Sequence, residues 1–187
     1  MNAPGVAAPD LARTLEQGAL EHHTVAARNV TPDAYAAVRR ILPGVQYHAG
    51  AQMLLFTDDG ADVPKPARLP GRVAVICGTG RDLHCAFEAT VSLSLTGAYG
   101  SLYQGVSAAD LPSLVRVRQS VADADVVIVC CGEQPALAGL VAGMVACPIV
   151  AIPGAGCTDP HAAMSVAGAP PLAARETLRR ARPRILR

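Results

Sequence analysis

The sequence predicts an α/β protein, a doubly wound parallel sheet with a small α+β appendage on its N-terminal side. Three observations carry that reading. From Arg72 onward, continuous apolar runs such as RVAVIC, DVVIVCC and PIVAI alternate with helix-length segments. Strands buried on both faces by crossover helices are written in this way. Hydrophobic residues make up 51% of the 187 positions, yet aromatic residues only 3%, and tryptophan is absent. The core is therefore built from Val, Ala, Leu and Ile, small enough to pack a sheet between helices. Finally, the stretch ADVPKPARLPG, with prolines at 64, 66 and 70, reads as a stiff linker that separates this half from an earlier one.

The elements follow in order. Residues 1–22 open with an Ala/Pro/Gly-rich text and are expected to be a flexible N-terminus. Residues 23–60 form the small α+β subdomain. Val25 to Val30 suggests a strand, and Thr31-Pro32-Asp33 starts a helix with a capping threonine and proline at its first position. Tyr35, Val38, Ile41 and Leu42 supply the apolar stripe of that helix, Pro43-Gly44 stops it, and Gln52 to Thr57 reads as another strand. The linker spans 61–71. In the main domain, 72–169, Arg72 to Cys77 is a strand and Leu83 to Thr96 a helix with Asp82 as cap and Gly97 as stop. Ala98 to Tyr103 is the next strand. Ala108 to Ala122 is a helix with Leu111, Leu114, Val115 and Val121 inward. Asp125 to Cys131, Pro135 to Ala146 and Pro148 to Ile152 complete the strand–helix–strand series. Residues 170–187 are an arginine-rich helix or tail interrupted by Pro183.

Composition excludes several classes. A net charge of +1 gives no basic footprint for nucleic acid or for an acidic membrane surface. The single Lys65 against fifteen arginines reads as coding bias. No uncharged apolar run reaches the roughly 18 residues of a membrane helix, and the opening MNAPGVAAPDLARTLEQ lacks the basic and apolar regions of a secretion signal. Six cysteines (77, 85, 130, 131, 147, 157) contain no CxxC pair. They fit a reduced, cytoplasmic protein in which cysteine mostly fills the core. Nor do the histidines His22, His23 and His48 form a spaced metal-ligand cluster.

In a doubly wound sheet, ligands bind beyond the carboxyl ends of the strands, which marks three loops. Gly78-Thr79-Gly80-Arg81-Asp82 joins a strand to a helix. It is either a phosphate cradle, with backbone N–H groups and the Arg81 fork as donors, or a plain turn capped by Asp82. In Gly132-Glu133-Gln134-Pro135, the carboxylate precedes a helix whose dipole favours its ionised form. Glu133 is a candidate general base and Gln134 a candidate for orienting an amide or carboxyl group; the alternative is helix-start decoration. The third loop, Pro153 to His161, offers Gly154 and Gly156 for close backbone contact and Cys157 with His161 as a thiolate–imidazole pair. Cys130 and Cys131 end a strand, one pointing to each face. The glycines of LAGLVAGMVAC hint at close helix approach in an oligomer.

The runs LPGVQYHAGAQMLLF, GRVAVICGTGRDLHCAFEA, SLYQGVSAADLPSL and ADVVIVCCGEQPALAGLVAGMVACPIVAIPG resemble, in order and spacing, the LarB family. These are pyridinium-3,5-biscarboxylic acid mononucleotide synthases of nickel-pincer cofactor biosynthesis. The resemblance covers roughly residues 22 to 156. It implies a flavodoxin-like, PurE-like three-layer sandwich, PurE being the aminoimidazole ribonucleotide carboxylase and mutase. It implies a lyase-type carboxylase that adds CO2 or bicarbonate to the pyridinium ring of nicotinic acid adenine dinucleotide and releases AMP. No tightly bound cofactor is expected, with Mg2+ a further candidate. The nucleotide is the expected partner, in a homo-oligomer, an octamer by resemblance.

The chain departs from the family at the chemistry. The family's glutamate aligns with Gln134, and Glu133 stands one place earlier. The segment that bears the family's nucleophilic cysteine has no counterpart, which leaves Cys157 as the substitute. Three readings follow. One is a diverged carboxylase using Glu133 and Cys157. Another is a PurE-like carboxylase, decarboxylase or mutase for a different nucleotide or heterocycle. The last is a catalytically inactive nucleotide-binding homologue.

Overall fold

The computed structural model describes residues 1–58 and 71–152. The chain divides into two compact units, Met1–Lys65 and Pro66–Arg187. All but Gly71 of the expected linker, and all of the chain beyond Ile152, lie outside the described residues.

In the first unit, α1 (Ala8–His22) precedes β1 (Thr24–Ala27), α2 (Pro32–Ile41), β2 (Gln46–His48) and β3 (Met53–Thr57). The strands form an antiparallel sheet in the order β1-β3-β2. Here the expectation of a flexible segment over 1–22 is corrected. Leu11, Leu15 and Ala19 repeat every four residues, so they stack on one face of α1. All three are fully buried, in a core shared with Val30, Val38, Leu54 and Phe56. Residues before the helix are tied down as well, with Ala3 N donating to Arg28 O and Arg28 N to Met1 O. In α2 the expected cap is present, since Thr31 Oγ1 accepts from Ala34 N at 3.2 Å. Val38 and Leu42 are buried, but Ile41 is half exposed at 51%.

The second unit runs β4 (Val73–Cys77), α3 (Arg81–Leu95), β5 (Gly100–Tyr103), α4 (Leu111–Ser120), β6 (Val126–Cys130), α5 (Ala136–Ala142) and β7 (Ile149–Ile152). All four strands are parallel, in the order β5-β4-β6-β7. This is a flavodoxin-like three-layer α/β arrangement, as the sequence predicts. Strand alternation sorts the side chains. Ala74, Ile76, Val127, Val129 and Cys131 enter the core with Leu114 of α4 and Leu137 of α5. Val75, Cys77, Ile128 and Cys130 face α3. Cys130 and Cys131 therefore do point to opposite faces. On α4 the inward stripe is Leu114, Val117 and Val121, whereas Leu111 and Val115 are exposed; a period of three to four residues accommodates only one of those two sets. Helix α5 ends at Ala142, before Gly143, short of the expected Ala146, because closely spaced glycines weaken the helix there.

From β4 the chain steps outward to β5, then returns across to β6 on the other side of β4. The carboxyl ends of β4 and β6 thus flank the switch point, where a crevice opens in such sheets.

Candidate functional site

Three loops meet at this switch point. The turn after β4 is tied to the loop after β5 by Gly105 N donating to Gly78 O and Val106 N to Cys77 O, at 3.1 and 3.0 Å. Gln134, in the loop after β6, reaches the same β5 loop. Its Oε1 accepts from Ala108 N at 2.8 Å and from Ser107 Oγ at 3.2 Å. The β6 loop is also held to the start of α3, where Glu133 N donates to both carboxyl oxygens of Asp82 at 3.3 Å. On the other side, Cys131 N donates to Ile152 O at the end of β7.

Glu133 is exposed, and its carboxylate does not serve α5, as the sequence suggests. It lies over Gly80, the N-cap of α3. A Cβ built on Gly80 would meet the two Glu133 carboxylate oxygens at 3.0 and 3.1 Å. Gly80 has φ +62° and ψ −126°, a conformation that is in practice reserved for glycine. The backbone conformation therefore requires glycine at 80, and a side chain there would push the exposed Glu133 carboxylate aside. The N-terminal end of the fifteen-residue helix α3 faces that carboxylate.

Asp82 differs from expectation too. It is the second residue of α3, not its cap, and it is 1% exposed. Burial raises its carboxyl above the usual carboxylate range, the Glu133 and Gly132 N–H groups pull it back, and the Glu133 charge pushes it up again. An anion placed on Gly78–Gly80 would thus meet two carboxyl groups. Thr79 and Arg81 are exposed beside it, so Arg81 is the donor that a phosphate would need. Gly78 is buried, with Asp82, Gln134 Nε2 and Val106 O each 3.6 Å from a Cβ placed there.

Glu133, Gln134, Gly132, Gly78, Thr79, Gly80, Arg81 and Asp82 are therefore brought to one rim, whereas Gly154, Gly156 and Cys157 lie outside the described residues. Gln134 is a strut between loops, a role that sequence reasoning missed together with its partners Ser107 and Ala108. Two polar side chains 27 residues apart carry no local pattern that would pair them. The described thiols near the rim are unsuited to nucleophilic attack. Burial, then the Asp82 charge, pushes Cys77 up to about 11. Cys130 is raised by its hydrogen bond to Cys85 and by burial, and Cys131 by burial. Among the described residues no three His, Cys, Asp or Glu side chains are grouped to hold a metal, and no helix is long and apolar enough to cross a membrane.

The fold and rim define a flavodoxin-like α/β protein with two carboxyl groups, Asp82 and Glu133, at its switch point. No protein-family model matches the chain, and no curated protein matches it in sequence.

Proposed function

We propose that this protein is a carboxylase of the LarB type. It adds CO2 or bicarbonate to the pyridinium ring of nicotinic acid adenine dinucleotide, or a close analogue, with release of AMP. The observation that carries the reading is the Glu133 carboxylate, exposed at the switch point and held there by its own backbone N–H on Asp82. In this reading Glu133 removes the ring proton as carboxylation proceeds. Arg81 meets the phosphates from its exposed position, and Gln134 keeps the Glu133 loop in place. A glutamine at 134 cannot accept a proton, so the base falls to Glu133. The protein works as a homo-oligomer through the outward face of α5, where Gly139, Leu140 and Gly143 are exposed.

The test is incubation with nicotinic acid adenine dinucleotide and labelled bicarbonate, reading label in the ring and AMP released. Glu133→Gln is expected to lower turnover by about 10²–10⁴-fold. Unchanged turnover in that variant removes Glu133 from the mechanism, and absence of label and AMP in the native chain removes this substrate.

A second reading is favoured by the thiols. Cys77, Cys130 and Cys131 are buried and pushed upward, which suits PurE-like carboxylation, decarboxylation or mutase chemistry on another heterocycle without a covalent cysteine. Intact-mass spectrometry separates the two. A ring adduct that disappears in Cys157→Ser supports the covalent route, and turnover without any adduct supports the other.

A further inference from the structure

A cavity of about 200 Å³ lies between the end of β5, the loop that follows it and α4. The buried side chains of Val106 and Val117 and the half-buried Tyr103 ring give it an apolar floor. Exposed Gln104 and Arg116 stand at its mouth, and no acidic residue lines it. The hydroxyl groups around it are already used. Ser113 donates to Asp110 O at 2.8 Å, Tyr103 to Ser120 O at 3.3 Å, and Ser120 to Arg116 O at 3.0 Å. The backbone N–H groups of Gly105 and Val106 donate to Gly78 O and Cys77 O. The Arg116 guanidinium and the Gln104 amide, by contrast, have no hydrogen-bond or ion-pair partner among the described residues. Free donors therefore stand at the mouth, over a floor whose own donors are spent. Drug-sized ligands fill about 300 Å³ or more, so the occupant of this cavity is smaller than that.

We propose that the cavity binds a small monocarboxylic acid with a compact apolar body, such as an aromatic acid. The body enters onto Val106, Val117 and the Tyr103 ring, where removal of apolar surface from water holds it. The carboxylate stays at the mouth. There it receives the Arg116 fork, whose planar geometry matches two carboxylate oxygens, and the Gln104 amide. Inorganic phosphate would leave the apolar floor unfilled, and a neutral amide would forgo the charge of Arg116. One loop separates this site from the rim. Ser107 N donates to Ser113 Oγ at 3.4 Å beside the cavity, and Ser107 Oγ to Gln134 Oε1 at 3.2 Å on the rim. An occupant packed against Val106 favours the arrangement in which these bonds are made, since it binds that arrangement alone.

The experiment titrates the full chain with benzoate, and in parallel with benzamide and with inorganic phosphate, by calorimetry. Benzoate should bind one per chain, and the other two at least about tenfold more weakly. Arg116→Gln should weaken benzoate about tenfold, whereas Arg118→Gln, exposed on the same helix but away from the cavity, should leave it unchanged. Both positions are on the surface, so both variants should fold, which circular dichroism checks. Amide hydrogen exchange locates the site: the N–H groups of Gly105 and Val106 should slow with benzoate, and the slowing should vanish in Arg116→Gln. Benzamide or phosphate binding as tightly as benzoate overturns the carboxylic-acid assignment. Undiminished benzoate affinity in Arg116→Gln, or exchange unchanged at Gly105 and Val106, overturns the site.

Discussion

The two units of the chain handle their polar groups in opposite ways. In Met1–Lys65 the side-chain hydrogen bonds given for the described residues join near neighbours or sit in water, apart from the part-buried one that Tyr47 OH donates to Val30 O. Thr31 caps its own helix, Arg39 bonds Tyr35 one turn away, and His23 meets Asp58 at an exposed surface. In Pro66–Arg187 the bonds at the rim are part-buried and join residues far apart in sequence, Gln134 to Ser107 and Ala108, and Asp82 to Glu133. Topology explains the contrast. Three antiparallel strands joined by local connections leave no gap between neighbours. A parallel sheet that reverses its strand order leaves a crevice walled by loops from distant parts of the chain. The part-buried polar groups gathered there are satisfied by one another. The first unit therefore rests on its apolar stripe, and the second adds a polar scaffold that fixes side chains at a rim.

The largest expected effect tests the first half of that statement. Leu15→Ala empties a fully buried position between α1 and the sheet. It should lower stability by about 2–5 kcal/mol in denaturant titration. Leu20, on the same helix but 78% exposed, should tolerate alanine within about 0.5 kcal/mol. Similar losses at the two positions would mean that α1 is not an integral part of the core.

A smaller effect tests the scaffold. Gln134→Ala removes the acceptor of the Ala108 N–H and of the Ser107 hydroxyl; a buried donor left unpaired costs about 1–3 kcal/mol, and these part-buried donors fall at about the low end of that range. Thermal or denaturant unfolding measures that loss. In the proposed reaction the same variant lowers kcat more than it changes KM, because Glu133 is less firmly placed while the ligand's own contacts remain. An unchanged kcat with the full stability loss would leave Gln134 a purely structural strut.

What could be read from the sequence follows the same division. Strands β4, β6 and β7 are continuous apolar runs bounded by glycine or proline, so burial alone announces them. Their carboxyl-end loops were legible for the same reason, and the crevice rule placed Gly78–Asp82 and Gly132–Gln134 on one rim. Helix α1 was hidden because its stripe consists of two leucines and several alanines within a text rich in Ala, Pro and Gly. Strand β2, three residues long, is too short for any periodicity. The orientation of Glu133 was also invisible. Its position suggests the start of α5, but the carboxylate lies over Gly80 at the start of α3, where there is no side chain to crowd it. Side-chain bonds that span 26 to 51 residues are set by strand order, which no local pattern encodes.

The smallest expected effect concerns the sign of a pH dependence at the rim. The Asp82 carboxyl is held above the usual range, chiefly because burial strips water from its charged form. In the unfolded chain that cost disappears, so the folded protein keeps the Asp82 proton to a higher pH than the unfolded one. Stability from this group is then fully present below the unfolded pKa and is lost as pH rises through the folded value. Asp82→Asn has no proton to exchange, yet its side-chain oxygen can still accept from Glu133 N. Relative to the native chain, the variant should be more stable at neutral pH, and this advantage should shrink as acid protonates Asp82. Denaturant midpoints of both proteins on either side of the carboxylate range measure the difference while cancelling every other titrating group. An advantage that stays constant with pH would show that Asp82 titrates alike in the folded and unfolded chains, and that its burial is relieved by the N–H groups of Gly132 and Glu133.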